Sequence, residues 1–163
     1  MAAKTEKTNV MRILDREKIA YQVHEYTVDD GLIDAVHAAQ KIGLPPERLY
    51  KTLVTRGVNH DFYVFVIPAA TELDLKAAAR AVGAKAVSML HVAELCGITG
   101  YIRGGCSPIG MKKQFRTVID ESCRALATVT VSAGKIGHMV ELAPADLLRA
   151  AHAETASITM PEN

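Results

Sequence analysis

Two glycine-rich segments carry the residues most able to do chemistry. Gly100-Tyr101-Ile102-Arg103-Gly104-Gly105-Cys106-Ser107-Pro108-Ile109-Gly110 and the shorter Ser132-Ala133-Gly134-Lys135-Ile136-Gly137 each set glycines beside a serine and a cation. Glycine permits positive φ and close backbone approach, and Pro108 stiffens the return of the first loop. Successive amides in such turns make an anion nest, suited to a phosphate or a developing oxyanion. Arg103 can grip a carboxylate or phosphate, and Ser107 can donate to the same group. Each segment alone also reads as an ordinary turn. Together they predict a pocket that meets an anion or a polarised carbonyl from two sides.

Lys51 lies inside the strand-like run Leu49–Thr55, on the parity of Leu49 and Leu53. Partial enclosure makes its neutral form easier to reach, so the side chain can assist proton transfer or orient a ligand. The alternative is an edge-strand lysine that reaches water. Cys106 sits within the first loop, but a thiol nucleophile needs a base and a thiolate-favouring site. His91 and His138 are candidate partners that nothing in the sequence pairs with it, so small apolar packing is the expectation. Tyr21, Tyr26, Tyr50 and Tyr101 can stack on a nucleobase or pack internally.

Several chemistries are set aside. Met111-Lys112-Lys113 stands where a nucleoside-triphosphatase loop needs Gly-Lys-Ser/Thr, and the glycine spacing is wrong for a dinucleotide fingerprint. The six histidines and three cysteines are scattered, so no metal site and no cofactor is expected. Glu72 and Asp74 precede a helix, where acids serve as caps.

The elements that must position these residues follow from pattern and composition. The chain has 163 residues, 49% of them hydrophobic, enough for one compact domain with its own core. Formal charge is +1, which does not announce a nucleic-acid coat. Between Arg103 and Lys135, however, six cations face two acids, a local excess able to steer a phosphate backbone. Cys96, Cys106 and Cys123 have no close-pair spacing and no secretory or long apolar segment accompanies them, so a reduced cytoplasmic setting without membrane contact is expected.

Residues 1–7 are expected to fray. Thr8 or Asn9 caps a helix with Val10, Ile13 and Leu14 inward, and Tyr21–Tyr26 alternates as a short strand. A helix is predicted from Leu32 to Ile42, stopped by Gly43 and Pro45-Pro46. Leu49–Thr55 and Phe62–Ile67 read as a hairpin around Gly57–His60. Asp74 caps a helix over Leu75–Val82, Ala86–Leu90 is a strand, and a brief helix from His91 stops at Gly97. Phe115–Ile119, Ala127–Val131 and Met139–Leu142 are strands, with Ser132 closing the second of these before the glycine turn. Pro144 opens a last helix through Ala151. The sum is an α/β (α+β) domain: a mixed, mainly antiparallel sheet of about six or seven short strands with surrounding helices.

Tyr50-Lys51-Thr52-Leu53-Val54, Val66-Ile67-Pro68, Glu72-Leu73-Asp74-Leu75-Lys76, Val118-Ile119-Asp120-Glu121 and both glycine segments follow one another in a distinctive order. Over about residues 8–158 this order resembles the YbaK and prolyl-tRNA-synthetase-associated editing-domain family, especially its free-standing bacterial Cys-tRNA(Pro) deacylases. The resemblance implies cleavage of mischarged tRNA(Pro) in trans, with aminoacylated tRNA(Pro) as partner and prolyl-tRNA synthetase as a second. It implies a catalytic set of Lys51, Gly105 and Ser107, with Lys51 positioning the ester or binding the terminal ribose or phosphate. Substrate binding falls to Tyr21, Thr52, Gly100, Arg103, Gly104, Ser132 and Gly134. In the cysteine branch the substrate's own thiol attacks the ester; other branches remove alanine with water. Cys106 stands where the branch often has an aliphatic residue, and His138-Met139 where it usually has leucine and a polar residue. A non-catalytic tRNA- or synthetase-binding module and a small-molecule ester or thioester hydrolase are the competing readings.

Overall fold

The aromatic and β-branched run Phe62–Pro68 pairs antiparallel with Tyr50–Gly57 over seven residue pairs, from Tyr50 opposite Pro68 to Arg56 opposite Phe62. This hairpin is the centre of the fold in a computed structural model that describes residues 7–161. In chain order the helices are α1 (Asn9–Arg16), α2 (Ala35–Ile42), α3 (Leu75–Val82), α4 (Val92–Thr99) and α5 (Pro144–Ala150). The strands are β1 (Gln22–Glu25), β2 (Tyr50–Gly57), β3 (Phe62–Pro68), β4 (Val87–Met89), β5 (Arg116–Asp120), β6 (Val129–Lys135), β7 (His138–Leu142) and β8 (Ala153–Ala156), with a 3₁₀ turn at Glu121–Ala125.

The α+β class and mixed pairing agree with the sequence reading. The eight described strands form two sheets: an antiparallel β1-β7-β6 and a mixed β4-β2-β3-β5-β8 in which β3, β5 and β8 run parallel. The sheets meet in hydrogen bonding where Thr130 N donates to the Arg48 carbonyl at 3.0 Å, beside a lone bridge between Leu49 and Thr130. Between them lies the main core, with Val64, Val66 and Ile119 from one side and Val131, Ala133 and Val140 from the other. α1 adds Val10 and Leu14 to it, and α5 adds Leu147. A second cluster lies under α3, and a third joins Tyr26, Ala38, Ala39, Leu49, Ala69 and Met139 beneath α2.

Capping explains most boundaries. Thr8 accepts from Met11 N, and Asp74 accepts from the amides of Lys76 and Ala77, as the side-chain patterns anticipate. Three boundaries differ from expectation. α2 starts at Ala35 because Asp34, not Leu32, supplies the cap. α4 runs through Gly97 to Thr99 and ends at Gly100, whose φ of +87° gives the left-handed close that Gly97 does not. β6 continues past Ser132 to Lys135 through a register shift, so Gly134, at φ +91°, sits in an irregular strand and the reversal falls at Ile136-Gly137. Of the expected frayed segment, residues 1–6 lie outside the described residues.

Candidate functional site

Where the two sheets part after the Leu49 bridge, a cleft of about 640 Å³ opens. Its floor is Leu49–Leu53 at the start of β2, its far wall is Ser132 and Met139 from the small sheet, and Arg103, Gly104 and Cys106 close one side. Gly31 and the segment Ile33–Val36, where α2 begins, close the other.

Lys51 is half-buried on this floor, and desolvation lowers its pKa from the ordinary 10.5, opposed by the carboxylates of Glu72 and Asp34. The hairpin register that pairs Lys51 with Ile67 fixes its backbone. Next to it, the Thr52 hydroxyl is buried without a hydrogen-bond partner among the described residues, a donor and acceptor unused by the fold. Asp34 faces the cleft while capping α2: it accepts from His37 N at 3.1 Å and its other oxygen lies 2.5 Å from His37 Nδ1. Burial opposes its ionisation, yet these two bonds together hold its pKa below 3.8.

The first glycine loop does reach the second. A Cβ on Gly105 would lie 3.0 Å from Ile136 N and 3.3 Å from Lys135 C, so bare backbone meets bare backbone there. Gly104, at φ +88°, packs under Ile33, whose Cδ1 would be 2.8 Å from an added Cβ.

Of the residues singled out from sequence, Lys51, Thr52, Arg103, Gly104 and Ser132 line the cleft. The other five, Tyr21, Gly100, Gly105, Ser107 and Gly134, do not line it. The Gly105 amide donates to the Ile102 carbonyl at 3.0 Å, so it is not free for an oxyanion. Ser107 is fully buried and absent from the cleft lining, its Oγ accepting from Ile109 N at 3.2 Å. Gly100 closes α4 beneath the Lys112 alkyl chain, and Gly134 gives room to the Tyr101 ring. Tyr21 packs on the core and donates to Asp15 Oδ1 at 3.0 Å, away from the cleft.

The stacking candidates are also committed elsewhere. The Tyr50 hydroxyl lies 2.6 Å from Ser122 Oγ, which donates to Asp120, and the Tyr101 hydroxyl donates to the Ile109 carbonyl at 2.5 Å. Tyr26 packs within the cluster beneath α2. Burial pushes the Cys106 thiol up to about 12, against a bond from Thr99, so it is a neutral wall group and not a nucleophile. His91 begins α4 and His138 pairs with Glu25 at 3.2 Å, so neither joins it at the cleft. Asp34 and Ile33 are wall residues that sequence reasoning missed, whereas Met139, singled out in sequence with His138 as a departure from the family pattern, lines the wall without His138. The cap spacing of Asp34 was the one available signal. Among the described residues, no three His, Cys, Asp or Glu side chains group to hold a metal, and no helix is long and apolar enough to cross a membrane.

A concave site assembled from both sheets and two loops marks a pocket-bearing α+β domain, able to draw a small polar group out of water. The chain belongs to the aminoacyl-tRNA editing domain family, whose profile matches residues 31–150 and so spans every cleft-wall residue from Gly31 to Met139. It is 45% identical over 157 residues to the Enterococcus faecalis protein named "Putative Cys-tRNA(Pro)/Cys-tRNA(Cys) deacylase EbsC", covering 96% of each chain. It is 30% identical over 125 residues to the uncharacterized protein YwhH of Bacillus subtilis, covering 77% of this chain and 78% of that one. Two solved structures share the fold. The hypothetical protein APE2540 superposes with a TM-score of 0.82 at 21% identity, covering 93% of this chain and 99% of the other. A "putative trans-editing enzyme for prolyl tRNA synthetase" gives 0.80 at 24% identity, covering 96% and 100%.

Proposed function

We propose that the protein is a trans-acting aminoacyl-tRNA deacylase that clears mischarged tRNA(Pro), with Cys-tRNA(Pro) its preferred substrate. The observation that carries this reading is Lys51, a half-buried cation on a paired strand at the bottom of a cleft whose lining, among the described residues, holds no histidine to activate Thr52, Cys106 or Ser132. Such a site positions and polarises a bound ester and leaves the attacking group to the substrate. Lys51 holds the ester oxygen or the terminal ribose, Thr52 supplies its unused hydroxyl, and Arg103 faces the phosphate at the mouth. The cysteine sulfur of the substrate then bonds to its own acyl carbon as the bond to the ribose oxygen breaks. The thiol proton ends on that oxygen, releasing tRNA and a cyclic thioester. The name borne by EbsC supports cysteine as the rejected amino acid.

The three cysteines are all free, which suits a reducing cytoplasm, and the tRNA is met there alone or in the company of prolyl-tRNA synthetase. Ester loss from Cys-, Ala- and Pro-charged tRNA(Pro) tests the proposal. The purified protein is expected to accelerate loss from the cysteinyl ester most. Preference for the alanyl ester would replace the thiol with water as attacking group. No acceleration for either noncognate ester would remove the enzyme reading and leave a binding module.

A further inference from the structure

We propose that Lys41 is a positioning residue that pins the segment 27–33 in place as the cleft wall against which the aminoacyl group is sized. This rests on the deacylase reading and deepens it from the ester to the wall beside it. The first ground is that the segment has little to hold itself. Residues 26–34 join β1 to α2 without helix or strand, and residues 27 through 32 are all exposed, so they bury no apolar layer of their own. Two bonds lie within it: Gly31 N donates to the Val28 carbonyl at 3.1 Å, and Leu32 N to Asp30 Oδ1 at 3.1 Å.

The second ground is what ties it down. Among the described residues, every hydrogen bond from residues 27–32 to the rest of the fold comes from Lys41. Its Nζ donates to the Thr27 carbonyl at 2.7 Å, to Asp30 Oδ1 at 2.8 Å and to the Leu32 carbonyl at 3.0 Å. An ammonium carries three protons, and three oxygens converge on them. An exposed lysine–aspartate pair alone does little, because two long side chains must be ordered in water. Lys41 is different. Its side chain is only 19% exposed, its Nζ lies 5.8 Å from the centre of the Tyr26 ring, and two of its three acceptors are backbone carbonyls. Capturing carbonyls fixes the path of the chain itself. The anchor is firm, since Lys41 stands in the last turn of α2, which sinks Ala38 and Ala39 into the core.

The third ground is placement. Gly31 and Ile33 line the cleft, and Leu32, whose carbonyl Lys41 holds, lies between them. Ile33 in turn covers Gly104 on the opposite loop, so the pinned segment closes on the far side of the opening. Attack by a substrate's own thiol requires its acyl group in one close geometry, and a wall free to swing by about an ångström admits others.

The test uses the full chain. Backbone NMR order parameters at Gly31 and Leu32 are measured beside single-turnover ester loss from Cys- and Ala-charged tRNA(Pro). Both amides should read near about 0.85 in the wild type and below about 0.6 in Lys41→Ala. Asp30→Ala, which removes one acceptor from an exposed side chain and leaves the core alone, should fall between, and it carries the test if Lys41→Ala does not fold. The cysteinyl rate in Lys41→Ala should drop about tenfold, and the ratio of cysteinyl to alanyl rates should narrow several-fold. Propylammonium can donate to the three vacated oxygens and should restore part of the order and the rate. Tetramethylammonium, of equal charge but without an N–H, should restore neither. Unchanged order parameters in both variants would overturn the proposal. So would lost order with an unchanged rate ratio, which would make the pin irrelevant to selection, or equal restoration by both ions, which would make charge alone the cause. The two claims fail separately: turnover with order kept in Lys41→Ala removes the pin alone, and order lost in Lys41→Ala without turnover in the wild type removes the deacylase reading alone.

Discussion

Gly105→Ala tests whether contact between the two glycine loops holds the cleft in shape. The added methyl would sit 3.0 Å from Ile136 N, 3.3 Å from Lys135 C and 3.4 Å from Lys135 Cα, all backbone atoms that cannot rotate aside. Ordinary contact begins near 3.4 Å, so one loop must retreat by about 0.4 Å, an overpacking that costs about 1–3 kcal/mol. Retreat of the 100–110 loop carries Arg103, Gly104 and Cys106 away from Lys51, and misplacement on this scale is expected to slow a positioning-dependent reaction at least tenfold, on the order of 1.4 kcal/mol. Gly83→Ala is the control: at φ +69° it strains the close of α3 by about 1–2 kcal/mol, and its methyl meets open space. Urea denaturation gives the stability of each variant, and single-turnover deacylation with protein in excess gives the rate. Both variants should lose comparable stability, and Gly105→Ala alone should lose rate. A Gly105→Ala protein with wild-type rate would show that loop contact does not set the cleft, and one with wild-type stability would show that the contact is not there.

Other expectations follow from the site. Cys106→Ala should keep kcat/KM within a few-fold, because a thiol pushed up to about 12 contributes no thiolate near neutrality; a folded but inactive variant in the tRNA assay would make Cys106 a participant. Lys51→Met should lower kcat/KM by about 10²-fold, the scale of losing one preorganised donor. In the wild type the rate should fall as pH rises through the lowered Lys51 pKa, before the ordinary 10.5, and Lys51→Met should lack that limb in a pH–rate profile. The corresponding sign for stability is opposite: burying the ammonium is unfavourable below the folded pKa, and that penalty fades as pH climbs toward 10.5. Thr128→Val removes the 2.5 Å bond to Glu141, whose pKa is held below 4.5 by Thr128 first and His24 second. It should cost about 1–3 kcal/mol in urea denaturation at neutral pH, a deficit that shrinks as acid protonates the carboxyl.

The legible parts of the fold were those written locally. Asp74 with Gly83 brackets α3, and the Phe62–Ile67 run announces its strand, because caps and β-branched content act within a few residues. Gly97 misled because a glycine inside a helix costs about 1 kcal/mol and does not end it, whereas a left-handed glycine such as Gly100 does. The split into two sheets was not legible, since it turns on one long-range bridge between Leu49 and Thr130. The site divides the same way. Strand parity pointed to Lys51, and local glycine density to Gly104 and Arg103. Ile33 and Met139 reach the cleft from α2's approach and from β7, and no local spacing links them to Lys51. Ser107 looked like a cleft residue for the same reason: its sequence neighbours do not reveal that its hydroxyl is turned inward to Ile109.

The cleft borrows its walls from the foundations of the molecule. Leu49, Ala69 and Met139 belong to the cluster beneath α2, Tyr50 and Cys106 to the main core, and Leu53 packs on the cluster under α3. Enlarging the opening from any of these positions hollows out an adjoining apolar layer, so selectivity for the amino acid and resistance to unfolding are mortgaged to the same side chains. Gly31 and Ile33, outside all three layers, are where a bulkier or more polar cargo could be accommodated with the least collateral damage.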